Sequence, residues 1–210
     1  VGVVLFNAVQ SPVDDVRVRR ALQLSTNQEA LIKASLGAGA GEPATQWFAR
    51  GSRWWSGLAA ETWPDSDLAA AEELFASYIN DEDRSDRRAP GSKISVDLQC
   101  TDDIHLSSMI RELSRQWEAT GFVEVETETV TRSGLIQRVL GSITDRPGFS
   151  GDFVATCWRV GGESDPAMMF GPLFGPIRTS PLNVSNLHNE SLTGFVDLLD
   201  SSANETVRQT

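Results

Sequence analysis

An alternation of strand and helix patterns over residues 94–158 constrains the fold of this chain more than any other feature. The periodicity predicts, in order, a strand at 94–100, a helix at 106–117, a strand at 123–125, a helix at 133–140 and a strand at 153–158. Right-handed crossover connections place such strands side by side in a parallel sheet. We therefore expect an α/β domain with a parallel β-α-β-α-β core.

Cys100 and Cys157 each fall at the end of a predicted strand of this core. If the first strand lies between the other two, as is common in open α/β sheets, the two sulfurs end side by side and are close enough to bridge. Two cysteines are too few for a disulfide scaffold and lack the paired spacing of a zinc site. The sequence leaves two states open, a disulfide or two buried free thiols.

Further elements are predicted on both sides of the core. They are a strand at 1–9, a helix at about 16–35, an irregular crossing at 42–66, a helix at 68–78 and a helix around 192–199. Asp14 and Asp15 are placed to cap the helix at 16–35 and to pair with Arg17 and Arg19 in its first turns. Residues 80–92 are almost wholly charged or turn-forming, which predicts a solvated loop.

Residues 151–166 form the stretch from which we expect a binding site. A short run of strand formers leads into a loop that contains Gly161, Gly162 and Glu163. Loops at the carboxyl ends of strands lie at the mouth of an α/β sheet, where ligands bind. There Trp158 can offer a flat apolar face, and glycines let backbone groups approach a ligand. The alternative is that Trp158 is a buried strand aromatic.

The formal net charge of −11 argues against nucleic acid or an anionic membrane surface as a partner, since proteins bind both through clustered Lys and Arg. No run of about 18 apolar residues is present, so no segment is expected to span a membrane. The amino end lacks the pattern of a secretory signal and opens in a predicted strand. We therefore expect the chain to be part of a longer protein.

The sequence offers little for catalysis. His105 and His188 are the only histidines, and neither lies beside a Ser or Cys motif. Residues 148–151, Gly-Phe-Ser-Gly, miss the nucleophile elbow by one position. Carboxylates are scattered over predicted helix faces and do not cluster as metal ligands. We expect no enzyme activity, no metal and no cofactor, and a hydrolase is the least favoured reading.

Several motifs resemble those of one family. Asn7, residues 11–22 (Ser-Pro-Val-Asp-Asp-Val-Arg-Val-Arg-Arg-Ala-Leu) and residues 25–32 (Ser-Thr-Asn-Gln-Glu-Ala-Leu-Ile) resemble a segment midway along the family 5 extracellular solute-binding proteins. These are the oligopeptide, dipeptide and nickel receptors of ATP-binding cassette (ABC) importers. Residues 195–199 (Phe-Val-Asp-Leu-Leu) are similar to a later helix of the family. The resemblance covers the chain from Leu5 to about Leu199.

The resemblance implies a periplasmic-binding-protein-like (type II) lobe, in which additional helices and an amino-terminal strand join the parallel core. It implies a single lobe over 1–210, truncated at both ends. Its parts are a strand, helix and crossing at 1–66, an α/β core at 67–170, and a loop with the start of a return helix at 171–210.

A function and a location follow from the same resemblance. It implies a receptor that captures a peptide or another small polar solute in a cleft between two lobes. The implied partners are the missing amino-terminal lobe and the permease subunits of an ABC importer. The implied location is extracytoplasmic, in the periplasm or at the outer face of the membrane as a lipoprotein.

The resemblance also implies site residues. Trp158 matches the tryptophan of the family's ligand loop, and Asp165 with its following proline matches the end of that loop. In peptide-binding members an Asp between these positions anchors the ligand's amino group. Gly161 or Gly162 stands there in this chain, and Glu163 is the nearest acid that can substitute. This difference argues against a free-amine peptide and leaves room for sugars or other polar solutes.

The crossing at 42–66 holds four tryptophans, Trp47, Trp54, Trp55 and Trp63. Each must bury much of its area in a soluble domain, so we expect most of them to pin the loop to its own domain. The resemblance places the crossing along the cleft edge. We expect one of the four at most, Trp54 or Trp55, to lie near a ligand.

A second function is compatible with these features, namely a ligand-sensing domain of a regulatory protein with the same fold. The residues upstream of Val1 distinguish the two functions. A signal peptide with a lipidated Cys indicates transport, whereas a helix-turn-helix segment indicates regulation.

Overall fold

The computed structural model describes residues 2–140, 151–159, 165–175 and 183–202. Within these ranges the elements are β1 (Gly2–Phe6), α1 (Val16–Leu24), α2 (Gln28–Leu36), α3 (Gly57–Thr62), α4 (Leu68–Ile79), β2 (Ile94–Thr101), α5 (Ile104–Ala119), β3 (Val123–Val130), α6 (Arg132–Leu140), β4 (Ala155–Arg159), α7 (Pro166–Phe174) and α8 (Glu190–Ser201). None of the described helices has the length and apolar character needed to cross a membrane.

The strands form one sheet in the order β1-β4-β2-β3. β2 runs parallel to both β3 and β4, and β1 pairs antiparallel with β4. The predicted parallel core is therefore confirmed, and its first strand lies between the other two. β4 begins at Ala155, slightly later than the predicted start at 153.

Two cores lie on opposite faces of this sheet. Alternate residues of β1 enter different cores, since side chains of a strand point to alternate faces: Val4 and Phe6 contact the first core, and Leu5 belongs to the second. Helices α1, α4 and α5 cover the first core. Helices α6 and α7 contribute most of the second, which is built on Leu5, Leu135, Val139, Phe153, Met169, Leu173 and Val184.

The predicted helix at 16–35 is wrong in one respect, because the structure has two helices, α1 and α2, in its place. Ser25 caps the carboxyl end of α1, and the Thr26 hydroxyl donates back to a carbonyl of that helix at 2.6 Å. Asn27 Oδ1 then accepts a backbone N–H of α2 at 2.9 Å as its N-cap. Three consecutive polar side chains thus bind the backbone, which ends one helix and starts the next.

The amino end of α1 has the predicted cap and ion pair. Asp15 accepts the backbone N–H of Arg17 at 2.7 Å, and the two side chains pair at 2.7 Å. Arg17 also contacts Asp81 at 2.8 Å, which ties α1 to the end of α4. Arg19 donates to two backbone carbonyls of the preceding turn, at 2.6 and 2.8 Å. Both arginines therefore support the structure of this corner.

The charged loop at 80–92 folds around Arg84, whose exposed fraction is 2%. Its guanidinium pairs with Asp86 at 2.6 Å and lies 5.0 Å from the centroid of the Tyr78 ring. It also donates to the carbonyl of Ser92 at 2.7 Å and to that of Ile79 at 3.4 Å, so one side chain binds the backbone at both ends of the loop. The prediction of a solvated loop is therefore wrong for Arg84.

Candidate functional site

The carboxyl ends of β2 and β4 meet at one edge of the sheet, where a disulfide joins Cys100 to Cys157. The parallel register pairs Gln99 with Thr156, so the two cysteines follow as the next residues along each strand. Their Cα atoms are 5.1 Å apart. Of the two states that the sequence left open, the structure has the disulfide. The bridge fixes the two strands at the point where the candidate ligand loop begins.

Trp158 follows the disulfide directly. Because side chains alternate along a strand, Trp158 points to the face opposite Cys157, and it packs against the second core. The indole is half-buried, so part of it contacts the core and part is open to solvent. Trp158 is therefore neither a fully buried strand aromatic nor a fully exposed one, and its contact with a ligand stays a prediction. A side chain fixed in this way can present a rigid apolar surface.

An ion pair borders the same edge. Arg159 Nη2 lies 3.6 Å from Asp103 Oδ2, and Asp103 is the N-cap of α5. The carboxylate accepts the N–H of Leu106 at 3.1 Å and that of His105 at 3.0 Å. These hydrogen bonds, that of Leu106 foremost, and the charge of Arg159 lower the pKa of Asp103. Sequence reasoning missed this pair, although charged residues close to the carboxyl ends of both strands were the available signal.

Asp165 marks the point where the candidate loop enters a helix. Its Oδ1 accepts a backbone N–H of the first turn of α7 at 2.9 Å, and Pro166 opens that turn. An Asp cap followed by a proline is a strong helix start, because the proline has no N–H to leave unpaired. Asp165 thus fixes the far end of the loop. The other predicted loop residues, Gly161, Gly162 and Glu163, lie outside the described residues.

Trp54 and Trp55 each contact an arginine side chain that also belongs to the crossing at 42–66. Trp54 is 8% exposed, with the Arg53 guanidinium 4.6 Å from its ring centroid. Trp55 is half-buried, with the Arg50 guanidinium at 5.4 Å. Cation–π contacts of this kind hold the two rings against the crossing itself. Among the described residues, the core against which Trp158 packs does not include either ring.

Trp47 is the tryptophan of the crossing that packs against the same core as Trp158. Its ring centroid lies 6.4 Å from that of Phe170 and 6.3 Å from that of Phe174, both on α7. Phe48 adds an edge contact with Phe170 at 5.9 Å. We call the half-buried rings Trp47, Phe48, Trp158, Phe170 and Phe174 the aromatic wall.

Sequence reasoning did not single out the aromatic wall. The spacing of Phe170 and Phe174, one helical turn apart, and the adjacent pair Trp47-Phe48 were visible signals. Nothing in the sequence indicates that these two segments meet. The contact depends on the path of the crossing over the second face of the sheet.

Asn7 and Asn186 join the end of β1 to the loop before α8. The Asn186 amide donates to Asn7 Oδ1 at 2.9 Å, and the Asn7 amide donates to the carbonyl of Phe153 at 3.1 Å. Both asparagines are buried, Asn7 completely. A buried amide must be hydrogen-bonded, so these contacts give the asparagines a structural role.

The groups that sequence reasoning considered for acid–base or metal chemistry are dispersed. His105 Nδ1 lies 2.7 Å from the carbonyl of Ser35, so this imidazole contacts the end of α2, and His188 is exposed in the loop before α8. In the part of the chain that the structure describes, no three His, Cys, Asp or Glu side chains gather as metal ligands would.

The family whose sequence profile matches the chain is Bacterial extracellular solute-binding proteins, family 5 Middle, and the match spans residues 1–178. No curated protein matches the chain significantly.

Solved structures of similar fold include substrate-binding proteins of ABC transporters. The substrate-binding protein CtaP from Listeria monocytogenes is 18% identical with a TM-score of 0.78, and the match covers 99% of this chain and 38% of that one. The mannohexaose-bound oligopeptide-binding protein from Thermotoga maritima is 14% identical with a TM-score of 0.75, covering 99% and 40%. NikA from Staphylococcus aureus, in complex with Ni(L-His)2, is 16% identical with a TM-score of 0.72, covering 99% and 40%.

This likeness confirms the predicted fold, an α/β lobe of the type found in these binding proteins. The chain spans about two fifths of the length of the structures that it matches, since the covered shares are 38% and 40%.

Proposed function

The chain belongs to the bacterial extracellular solute-binding proteins of family 5, and from this membership we propose that it is the ligand-binding carboxyl-terminal lobe of an ABC-importer receptor. The family consists of binding proteins and not of enzymes. The receptor would hold a peptide or another small polar solute in a cleft between two lobes and deliver it to a membrane permease. An amino-terminal lobe would supply the other wall of the cleft and close on the ligand by a hinge motion.

The observation that carries this proposal is the position of Trp158. It lies near the carboxyl end of β4, at the edge of the sheet where the parallel strands β2 and β4 end and where open α/β folds bind ligands. The disulfide fixes the strand before it, the second core holds one part of its indole, and the Asp165 cap fixes the end of its loop. An aromatic ring that is held rigidly and partly exposed at this edge of the sheet is preorganised to stack on a ligand.

We propose roles for the other predicted site residues. The backbones of Gly161 and Gly162 would approach the ligand, since glycine has no side chain in the way. Glu163 would supply the negative charge that an amine-bearing ligand requires. One of Trp54 and Trp55 at most would border the cleft from the crossing.

The fold alone does not select the solute. Proteins of similar fold are known in complex with Ni(L-His)2 and with mannohexaose, which share no functional group pattern. The choice of solute therefore depends on the side chains around the loop.

The disulfide supports an extracytoplasmic location. Disulfides persist in oxidising compartments, such as the bacterial periplasm and the cell surface, and are rare in the cytosol. A bridge between neighbouring strands of the core, with both cysteines at most 2% exposed, fits such a compartment. We propose that the receptor acts in the periplasm or as a lipoprotein at the outer face of the membrane.

Calorimetric titration of the chain with tri-alanine and with cellohexaose tests the proposal. Because the second wall of the cleft is proposed to lie in another lobe, we expect weak binding, with a dissociation constant of about 1 mM, or about −4 kcal/mol. Trp158→Ala should remove this binding. Trp63→Ala is the matched control, since Trp63 is 39% exposed and outside the second core.

Two results would contradict the proposal. Equal binding by the Trp158 and Trp63 variants would exclude Trp158 from the site. A dissociation constant for the chain that is a thousandfold lower than expected would show that one lobe forms the complete binding site.

A further inference from the structure

We infer that the disulfide between Cys100 and Cys157 clamps a weak seam between β2 and β4, and that the carboxyl ends of these strands separate locally when the bridge is absent. This inference goes beyond the proposed function, because it concerns the fold and holds whichever solute the receptor binds. Trp158 follows the bridge directly, so the bridge also sets the position of that indole.

The backbone register between β2 and β4 is short. It has two residue pairs, and the last of them joins Gln99 to Thr156. On their other sides β2 pairs with β3, and β4 pairs with β1, along their whole lengths. Cys100 and Cys157 are the next residues after the short register. The bridge therefore stands where the backbone pairing of the two strands stops.

On the second face, the side chains that meet at the seam are polar and poorly hydrogen-bonded. Gln99 is 9% exposed and Thr156 is completely buried. Gln99 Oε1 is buried and has no hydrogen-bond partner among the described residues, and Gln99 Nε2 donates to the carbonyl of Asp152 across 3.4 Å. The Thr156 hydroxyl donates to the carbonyl of Cys157, also across 3.4 Å. Buried polar groups without good partners destabilise the pairing of the strands that carry them.

On the first face, β4 contributes little apolar area to the core. Its residues there are Ala155 and Cys157, both of them small. Because stabilisation by burial scales with apolar area, this core holds β4 weakly. A further contact across the seam, between Arg159 and Asp103 at 3.6 Å, joins side chains that are 60% and 34% exposed. Exposed ion pairs of this kind contribute little to stability.

These observations assign the bridge a local role. The free energy of a local opening depends on the contacts that the opening breaks, and few strong contacts cross the carboxyl end of this seam. A covalent bond between the strands prevents such an opening. Without it, the carboxyl end of β4 should open while β2 and β3 stay paired.

Native-state hydrogen exchange, measured by nitrogen–proton correlation spectra, tests this inference. The test variant is Cys100→Ala, Cys157→Ala. The matched control is Leu22→Ala, since Leu22 is completely buried in the first core and its truncation lowers the global stability by a similar amount. Urea unfolding of both variants gives the correction for any remaining difference in global stability.

After that correction, amides of β4 should exchange at least about tenfold faster in the double variant than in Leu22→Ala, because local opening adds to global unfolding. Amides of β3 should exchange within about twofold of each other in the two variants, because both report global unfolding there. Cys100→Val, Cys157→Ala is a second variant, which keeps apolar volume near the bridge and should show the same local effect.

Three results would overturn the inference. If the amides of β3 and β4 accelerate by the same factor, the bridge acts on the fold as a whole. If the amides of β3 accelerate more than those of β4, the weak boundary lies elsewhere. Failure of both bridge variants to fold would exclude a local opening. None of these results concerns ligand binding, so the proposed function depends on the titrations of Trp158→Ala alone.

Discussion

The two faces of the sheet are built differently. On the first face, three helices seal a core whose largest residues, Trp117, Tyr78 and Phe75, are almost completely buried. On the second face the core is smaller and, among the described residues, five half-buried rings surround it, against two, Phe6 and Phe122, at the first core. The tryptophans follow the same division, since Trp117 is 2% exposed whereas Trp47 and Trp158 stay partly open.

We expect the first face to contribute more to the stability of the fold and the second face to contribute more to ligand binding. Free energy of folding comes mainly from apolar surface that is fully removed from water, which favours the first face. A binding surface must instead keep apolar area available, which favours the second. Substitutions on the first face should therefore change the free energy of unfolding, and substitution of Trp158 on the second face should change ligand binding.

The largest expected effect is that of Trp117→Ala. The Trp117 indole N–H is shared between the carbonyl of Leu22, at 3.1 Å, and the hydroxyl of Thr26, at 2.9 Å, so α5 is tied to the end of α1. We expect a loss of about 3–5 kcal/mol of unfolding free energy from the cavity and the broken contacts. Trp47→Ala, on the wall, should lose about 1–2 kcal/mol, because less area is buried there. Urea unfolding of both variants measures the difference, and equal losses would contradict the division between the two faces.

The disulfide should have the next largest effect. It closes a loop with a sequence separation of 57 residues, for which chain entropy predicts a contribution of up to about 4 kcal/mol. We expect the Cys100→Ala, Cys157→Ala double variant to lose about 2–4 kcal/mol in urea unfolding. A reductant should shift the unfolding midpoint of the wild type but not that of the double variant. A wild-type midpoint that does not respond to reductant would show that the two thiols are free.

The smallest expected effect is that of pH on Glu112, at the surface of α5. Hydrogen bonds from Arg115 and then Gln116 lower the pKa of Glu112 from 4.5 to about 2. Because the folded-state pKa is lower than the unfolded one, the stabilisation is complete above pH 4.5 and is lost as the pH falls towards about 2. For an exposed pair it should be less than about 1 kcal/mol.

Urea midpoints at several values between pH 7 and pH 2.5 measure this effect. Glu112→Gln should flatten the acid-side decrease slightly, whereas Glu126→Gln, at an exposed position of β3, serves as the control. Identical pH profiles for wild type and Glu112→Gln would show that the pair contributes nothing.

Local patterns predicted the sheet well. The alternation of Ile94, Val96 and Leu98 and the spacing along α5 follow from burial of one face, so periodicity alone indicated the parallel core. The same patterns brought Cys100 and Cys157 to one edge but left their bond open, because sequence does not specify the pairing of two thiols. Trp158 was placed correctly at the carboxyl edge for the same reason.

Long-range and polar contacts were not predictable in this way. Arg84 lies in a run of charges that resembles a solvated loop, and only the folded loop shows that one guanidinium binds its two ends. Residues 25–27, Ser-Thr-Asn, can occur within a helix. Here the side chains of Thr26 and Asn27 bind backbone groups, and these hydrogen bonds separate α1 from α2. Trp47 meets α7 across more than 100 residues of sequence, so no local signal could single it out from the four tryptophans of the crossing.

The indole N–H signals of the six tryptophans provide the most direct test of the account. In a nitrogen–proton correlation spectrum of the chain, assigned by single Trp→Phe variants, a solute that binds, such as tri-alanine or cellohexaose, should shift the signal of Trp158. The signals of Trp117, in the first core, and Trp63, outside both cores, should stay in place. Shifts at Trp63 or Trp117 without any change at Trp158 would contradict the assignment of the second face as the ligand-binding face.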